Sequence, residues 1–206
     1  DGNDAGTFTP KDWSVDVGYA RKLTDDLSVG ATARFIRSDM SGLDKDDAAN
    51  AVAFDLGLYY RRNFENWEQS QWAVGLQASN FGTKIDYGYG KYDQASKVAV
   101  GGMIDHVFTD KHRLQGTLDV VCQVLPNTNW GGSVGVEYTL LQIVAIRGGY
   151  HYGEQDNKLQ RYGTLGCGVG CHHIKADFAY LIPEKDSLLK NTWQVALSFD
   201  LGLFKR

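Results

Sequence analysis

The chain has 206 residues, 24 of them glycine and three proline, with 12% aromatic residues and a formal charge of −4. That length fits one domain or one barrel rather than several domains, and mild acidity argues against a nucleic-acid partner, which needs a basic face. No run of about 18 apolar residues occurs, so a transmembrane helix is excluded; a membrane barrel is not, because half of each of its strands is polar.

Trp13, Val15, Val17 and Tyr19 alternate with Ser14, Asp16, Gly18 and Ala20, the period of a strand with one apolar face. After a turn at Thr24-Asp25-Asp26 the pattern resumes with Leu27, Val29, Ala31, Ala33 and Phe35, then, past a polar loop at 38–50, with Val52, Phe54, Leu56, Leu58 and Tyr60. Trp72, Val74, Leu76 and Ala78 follow, then a Gly- and Tyr-rich loop at 81–94, then Val98, Val100, Gly102 and Ile104. Leu114, Leu118, Val120, Cys122 and Val124 share the next apolar face, followed by Val134, Val136, Tyr138 and Leu140, and by Val144, Ile146, Tyr150 and Tyr152. A glycine-heavy strand from Tyr162 to Val169 precedes Ile174, Ala176, Phe178 and Tyr180. In the last segment Trp193, Val195, Leu197, Phe199, Leu201 and Leu203 alternate with Gln194, Ala196, Ser198, Asp200 and Gly202. The reading is about eleven strands and no helical periodicity.

The connections carry a second signal. Longer loops at 38–50, 81–94, 126–129, 153–160 and 183–190 alternate with shorter turns at 24–26, 61–71, 109–112, 141–142 and 170–172. Segment 126–129 is short for its set and 61–71 long for its own. Outer-membrane barrels place short turns on the periplasmic side and longer loops outside. In that topology Trp13, Tyr152, Tyr162, Tyr180 and Trp193 fall near outer strand ends, whereas Tyr19, Tyr59, Tyr60, Trp72, Tyr138 and Phe204 fall near periplasmic ends. Two such girdles suit the two membrane interfaces. A soluble β-sandwich alternates faces too, but has no reason to keep loop length and ring position in phase. The expected fold is therefore an all-β, transmembrane antiparallel β-barrel. An odd strand count leaves an edge that a bilayer does not tolerate. Residues 1–206 are accordingly expected to form the C-terminal portion of a single outer-membrane barrel domain whose N-terminal strands lie outside this sequence.

Charged residues predicted on the polar face, Asp16, Arg34, Asp55, Asp105, Asp119, Glu137, Arg147, Lys175, Asp177 and Asp200, are of mixed sign and read as a structural charge network of a wet lumen. No Ser/His/Asp arrangement can be placed together and no phosphate loop is present, so no enzyme activity and no cofactor are expected. Cys122, Cys167 and Cys171 are odd in number, and the spacing of Cys167, Cys171, His172 and His173 matches no standard zinc pattern, so no metal site is expected either. The loop 81–94 carries Phe81, Ile85, Tyr87, Tyr89 and Tyr92 among glycines. Tyrosine offers contact area at low entropic cost, which makes this loop the first candidate for a partner; the same rings equally suit a barrel mouth or lipid headgroups. Leu43, among Asp44, Asp46 and Asp47, is the secondary candidate.

Several segments resemble one family. They are Ala53-Phe54-Asp55-Leu56-Gly57-Leu58-Tyr59-Tyr60, Ala78-Ser79-Asn80-Phe81-Gly82 with Lys84-Ile85, Arg147-Gly148-Gly149-Tyr150, Arg161-Tyr162-Gly163-Thr164-Leu165-Gly166, and the closing run with Asn191-Thr192. Spread over most of the chain, they are similar to the PorV/PorQ branch of the long-chain fatty acid transporter-like barrels of Bacteroidetes, and most of all to its PorV type. The resemblance implies a fourteen-stranded barrel of the bacterial outer membrane. It also implies a non-enzymatic shuttle of the type IX secretion system. Such a shuttle takes secreted cargo by its C-terminal signal domain from the translocon barrel and passes it to a surface attachment complex with a sortase-like enzyme. On that reading Phe81, Ile85, Tyr87, Tyr89, Tyr92 and Leu43 are the candidate cargo contacts, with outer-membrane lipids around the wall. The alternative, also present in the wider family, is an outer-membrane transporter or channel for hydrophobic small molecules; a third reading is a purely structural subunit.

Overall fold

A computed structural model describes residues 11–39, 48–67, 69–88, 90–153, 161–171, 174–184 and 192–199. Its elements are all strands: β1 Lys11–Lys22, β2 Leu27–Asp39, β3 Ala48–Asn63, β4 Gln71–Gly82, β5 Ile85–Asp86, β6 Lys91–Tyr92, β7 Lys97–Thr109, β8 His112–Gln123, β9 Asn129–Leu140, β10 Val144–Gly153, β11 Tyr162–Cys171, β12 Ile174–Pro183 and β13 Trp193–Phe199. Eleven of them form one antiparallel sheet in the order β1-β2-β3-β4-β7-β8-β9-β10-β11-β12-β13, and β5 and β6 form a separate two-stranded sheet. The eleven sheet strands are the eleven read from the sequence. A strand of twelve residues extends about 40 Å, more than enough to cross a hydrocarbon layer at a tilt.

Two boundaries differ from the sequence reading in a way that sharpens it. β3 runs on to Asn63, so the connection to β4 is 64–70 rather than 61–71 and sits more comfortably among the short turns. The loop expected at 81–94 is not wholly irregular: Ile85 pairs with Tyr92 and Asp86 with Lys91. Two-residue strands are too short for alternation to reveal them. The tight β1–β2 connection forms because Thr24 Oγ1 accepts the Leu27 N–H (3.0 Å) and the Leu23 N–H reaches the Leu27 carbonyl (2.8 Å), a hydroxyl-closed turn that fixes the register. That register sets Asp16 opposite Arg34.

The burial pattern is inverted relative to a water-soluble sandwich. Among the described residues the buried apolar side chains are five alanines, Ala49, Ala51, Ala53, Ala73 and Ala145. The largest fully buried side chains are polar: Asp105, Ser70 and Ser96. Meanwhile large apolar side chains stand exposed along strand after strand, Val17 at 71% and Trp193 at 65% among them. A contiguous apolar surface of that kind calls for a partner other than water. The chain divides into two compact units: Asp1–Tyr59, Leu76–Ala99 and Cys122–Thr128 form the first, and Tyr60–Gly75, Val100–Val121 and Asn129–Arg206 the second.

Candidate functional site

In the first unit the polar face is organised around Asn80. Its φ is +60°, a left-handed conformation that Asn tolerates better than most residues. Each of its polar groups is engaged with a different part of the unit. The Asn80 N–H donates to Asp55 Oδ1 on β3 (2.7 Å), and Arg34 Nη1 on β2 donates to Asn80 Oδ1 (2.9 Å). Asn80 Nδ2 donates to the Ala95 carbonyl (3.2 Å), and Ser96 Oγ donates to the Asn80 carbonyl (2.6 Å). Arg34 also bonds both oxygens of Asp16 through Nε (3.0 Å each) and reaches Asp55 through Nη2 (3.5 Å). Asp16, Arg34 and Asp55, predicted as members of a charge network, therefore meet at one guanidinium.

The loop that leaves β4 folds back onto β3. The Thr83 N–H donates to the Val52 carbonyl (2.9 Å), while Thr83 Oγ1 accepts the Val52 N–H (3.0 Å). Gly82 sits so close that a Cβ there would collide with the Val52 carbonyl oxygen. Hence both Asn80 and Gly82 of the Ala78–Gly82 motif have a geometric reason. At the loop's return, Gln94 Nε2 donates to the carbonyls of Thr83 (2.6 Å) and Val52 (3.1 Å). The Ser96 carbonyl accepts from Val124 N–H (2.7 Å).

Beyond these roots the β5–β6 hairpin carries three of the predicted contact residues, Ile85, Tyr87 and Tyr92, while Phe81 lies on β4 just before them. Tyr87 and Tyr92 meet edge to face at 5.9 Å, and the Tyr87 hydroxyl donates to the buried Ser38 Oγ (3.0 Å). Tyr92 is 52% exposed and Phe81 is also exposed, whereas Ile85 and Tyr87 are half-buried. Tyr89 and Leu43 lie outside the described residues. Lys84 pairs with Asp93 (3.0 Å) and Lys91 with Asp86 (3.1 Å). The Gly88 N–H (3.0 Å) and then the Lys91 ammonium hold the Asp86 carboxyl below the ordinary carboxylate range. The tip turns through Gly88 at φ +82°. Sequence reading singled out the tyrosines as candidates and gave no site role to Asn80, Gln94 and Ser96, whose contacts depend on strand register rather than on residue type.

The second unit holds the remaining charges. Arg147 bridges Glu137 and Asp177, and Lys175 adds a longer contact to Asp177 (3.7 Å). The register explains the reach: Arg147 opposes Glu137 directly on β9, and Asp177 opposes Gly168, which has no side chain to intervene. Asp105, 2% exposed, accepts from Arg113 Nε (2.7 Å) and Gln71 Nε2 (2.9 Å), a pairing that needed Arg113, absent from the predicted network. Asp119 leans over Gly101, where a Cβ would strike its carboxylate. Asp200 lies outside the described residues. Asp105, Arg113, Glu137, Arg147 and Lys175 line a cavity of about 510 Å³. A groove of about 580 Å³ is lined instead by Trp72, Val74, Ile104, Leu118 and Val134 of the apolar face.

The sequence reading considered only Ser/His/Asp arrangements and did not single out two serine–histidine pairs: Ser133 Oγ lies 2.9 Å from His151 Nδ1, and Ser70 Oγ lies 2.9 Å from His106 Nδ1. Their separation in sequence, 18 and 36 residues, concealed this. Ser70 is fully buried and also accepts the Val107 N–H (3.1 Å), and His106 is packed against Trp67 and Phe108. His151 stacks on Tyr162 at 5.0 Å. Among the described residues neither imidazole has a carboxylate hydrogen-bonded to it, the third group that a Ser/His/Asp arrangement requires. Cys171, expected in a turn, is the last residue of β11.

No curated protein matches the chain by sequence. A family model does, described as type IX secretion system protein PorV, over residues 1–129. That stretch contains the whole Asn80 anchor and the hairpin it holds, together with the alternating strands β1 to β8. With more than half of its length matched and an all-β architecture of exposed apolar faces, the chain belongs to the PorV family of type IX secretion system proteins.

Proposed function

We propose that this protein is a non-enzymatic shuttle of the bacterial outer membrane. It binds secreted cargo by the cargo's C-terminal signal domain, at the loops on the long-connection side of the sheet, and passes it from the translocon barrel to the surface attachment complex. The observation that carries the reading is the β5–β6 hairpin: exposed aromatic area on a loop tied to the wall by part-buried hydrogen bonds. Recognition surfaces favour tyrosine for the same reason. Phe81, Ile85, Tyr87, Tyr89 and Tyr92 are the proposed contacts, with Leu43 as the secondary candidate.

The apolar face belongs against lipid, and the mixed charges Asp16, Arg34, Asp55, Asp119, Glu137, Arg147, Lys175, Asp177 and Asp200 belong to a wet lumen. β1 and β13, the two ends of the sheet order, would pair with further strands of a fourteen-stranded barrel. A conduit for hydrophobic molecules is less well supported, since the cavity on the polar face is lined by ions and the apolar groove lies on the opposite face. The test is purification from the native membrane with identification of what accompanies the protein. Recovery of a large translocon or of cargo with a shared C-terminal domain supports the shuttle. A solitary barrel with lipid in its lumen supports the transporter instead.

A further inference from the structure

We infer that Asn80 is a positioning residue: it locks the return of the 83–96 loop to the Asp16–Arg34–Asp55 ion cluster, so that the tyrosine hairpin meets its partner in one preset pose. The inference rests on the reading of that hairpin as the cargo-facing surface.

A hairpin with two residues per strand does not hold itself together. Its ion pairs, Lys84–Asp93 and Lys91–Asp86, have lysines that stand largely in solvent and contribute little order. The pose is therefore set where the loop meets the sheet: at the Tyr87 hydroxyl, which donates to Ser38 of β2, and at the roots. There the outgoing root, Thr83, is bonded to Val52, and the returning root is bonded by Gln94 to the same carbonyl. Both roots thus reach β3 through Val52, and Asn80 adds what neither root supplies, a link from the foot of the loop to the Asp16–Arg34–Asp55 cluster on β1, β2 and β3. Its side chain receives Arg34 on one side and donates to Ala95 on the other; its own N–H meets Asp55 and its carbonyl meets Ser96. Only a left-handed residue at this point turns the backbone groups and the amide toward three elements at once, and Asn is among the few side chains that accept that φ. Ser96 is fully buried and Gln94 is buried, so the bonds they make are partly screened from water. A preset loop binds without first being ordered, which strengthens association without any added contact.

The experiment uses the full-length protein in detergent or nanodiscs and three variants. Asn80→Gly keeps the left-handed backbone and removes the amide links. Gln94→Met leaves Asn80 intact and cuts only the bonds to Val52 and Thr83, which serves if the glycine variant fails to assemble. Tyr92→Ser alters the contact surface and not the anchor. Hydrogen exchange is followed over residues 84–93, together with binding of a labelled C-terminal signal domain from a secreted cargo. Asn80→Gly is expected to speed exchange across the hairpin, and if the docked pose falls to about a tenth of the population, Kd rises about tenfold. Asn80→Asp, which retains the carbonyl oxygen that Arg34 needs, is expected to recover most of both. Unchanged exchange in Asn80→Gly and Gln94→Met overturns the inference whatever binding does. Faster exchange with unchanged Kd, while Tyr92→Ser weakens binding, overturns the positioning role and leaves the cargo reading standing. Full binding by Tyr92→Ser instead counts against the cargo reading, and the exchange data still decide the anchor.

Discussion

Gly168 shows how much the polar face depends on single atoms. A Cβ there would collide with the Asp177 carboxylate and crowd the Arg147 guanidinium at 3.3 Å. Gly168→Val is therefore expected to destabilise the folded protein by about 1–3 kcal/mol, the usual consequence of overpacking, and to separate Arg147 from Asp177. Gly57 has open space where a Cβ would stand, so Gly57→Thr is expected to be neutral or slightly stabilising. Urea titration of both variants in phospholipid bilayers checks the contrast; equal losses would mean that glycine content, not fit, sets stability. Asp86 gives a second residue-level expectation. Its folded-state pKa is lowered, so its contribution to the hairpin is complete above the ordinary carboxylate range and is lost as pH falls through the lowered value. Hydrogen exchange of residues 84–93, corrected for intrinsic rates, should show less protection on acidification in the parent protein and a smaller acid response in Asp86→Asn.

At the scale of elements, the β9–β10 turn stores strain that sequence alone does not reveal. Leu141 and Gln142 both have positive φ, +56° and +58°, and the Ile143 N–H closes the turn on the Leu140 carbonyl (3.0 Å). This is the hairpin turn whose twist suits the flanking strands, occupied by residues other than the Asn-Gly it favours. Leu141→Asn is expected to gain about 1 kcal/mol by relieving a left-handed leucine. Gln142→Gly is expected to gain little, because the Gln142 side chain also donates to the Asp110 carbonyl (3.3 Å) and that bond is lost. The eleven sheet strands were legible because an apolar residue at every second position leaves only one face to bury in lipid. The β5–β6 hairpin was not, since four residues carry no period. Asn80 and Arg113 were illegible for a different reason: their partners lie on other strands, and register follows from turn geometry rather than composition. The tyrosines of the hairpin were found by residue type, but their anchor was found only by geometry. Because Lys84, Asp86, Lys91 and Asp93 are paired among themselves, the hairpin presents little free charge to a partner. Cargo binding is accordingly expected to change less than about threefold between about 50 and 500 mM salt, a weak response for a charged loop. A steep salt dependence would place recognition elsewhere.

For the molecule as a whole, the decisive property is which face is apolar. Leu118 is 61% exposed near the middle of β8, and Leu114, Val120 and the apolar residues of the other strands share its face. If that face met water, Leu118→Arg would replace an exposed leucine by a soluble side chain and change stability by no more than about 0.5 kcal/mol. Facing hydrocarbon, the same change carries a guanidinium into a medium without water, and barrels lose about 2–4 kcal/mol for Arg at the midplane. The penalty also depends on depth. Tyr138, near the end of β9 and paired there with Ile146, sits where the loss for Arg falls to about 0–1 kcal/mol. Leu118→Arg is thus expected to impair assembly into bilayers by about 1–4 kcal/mol more than Tyr138→Arg does, with the two variants alike in a fully unfolding concentration of urea. A depth-independent response, or a stabilising Leu118→Arg, would show that the apolar face is covered by protein rather than lipid.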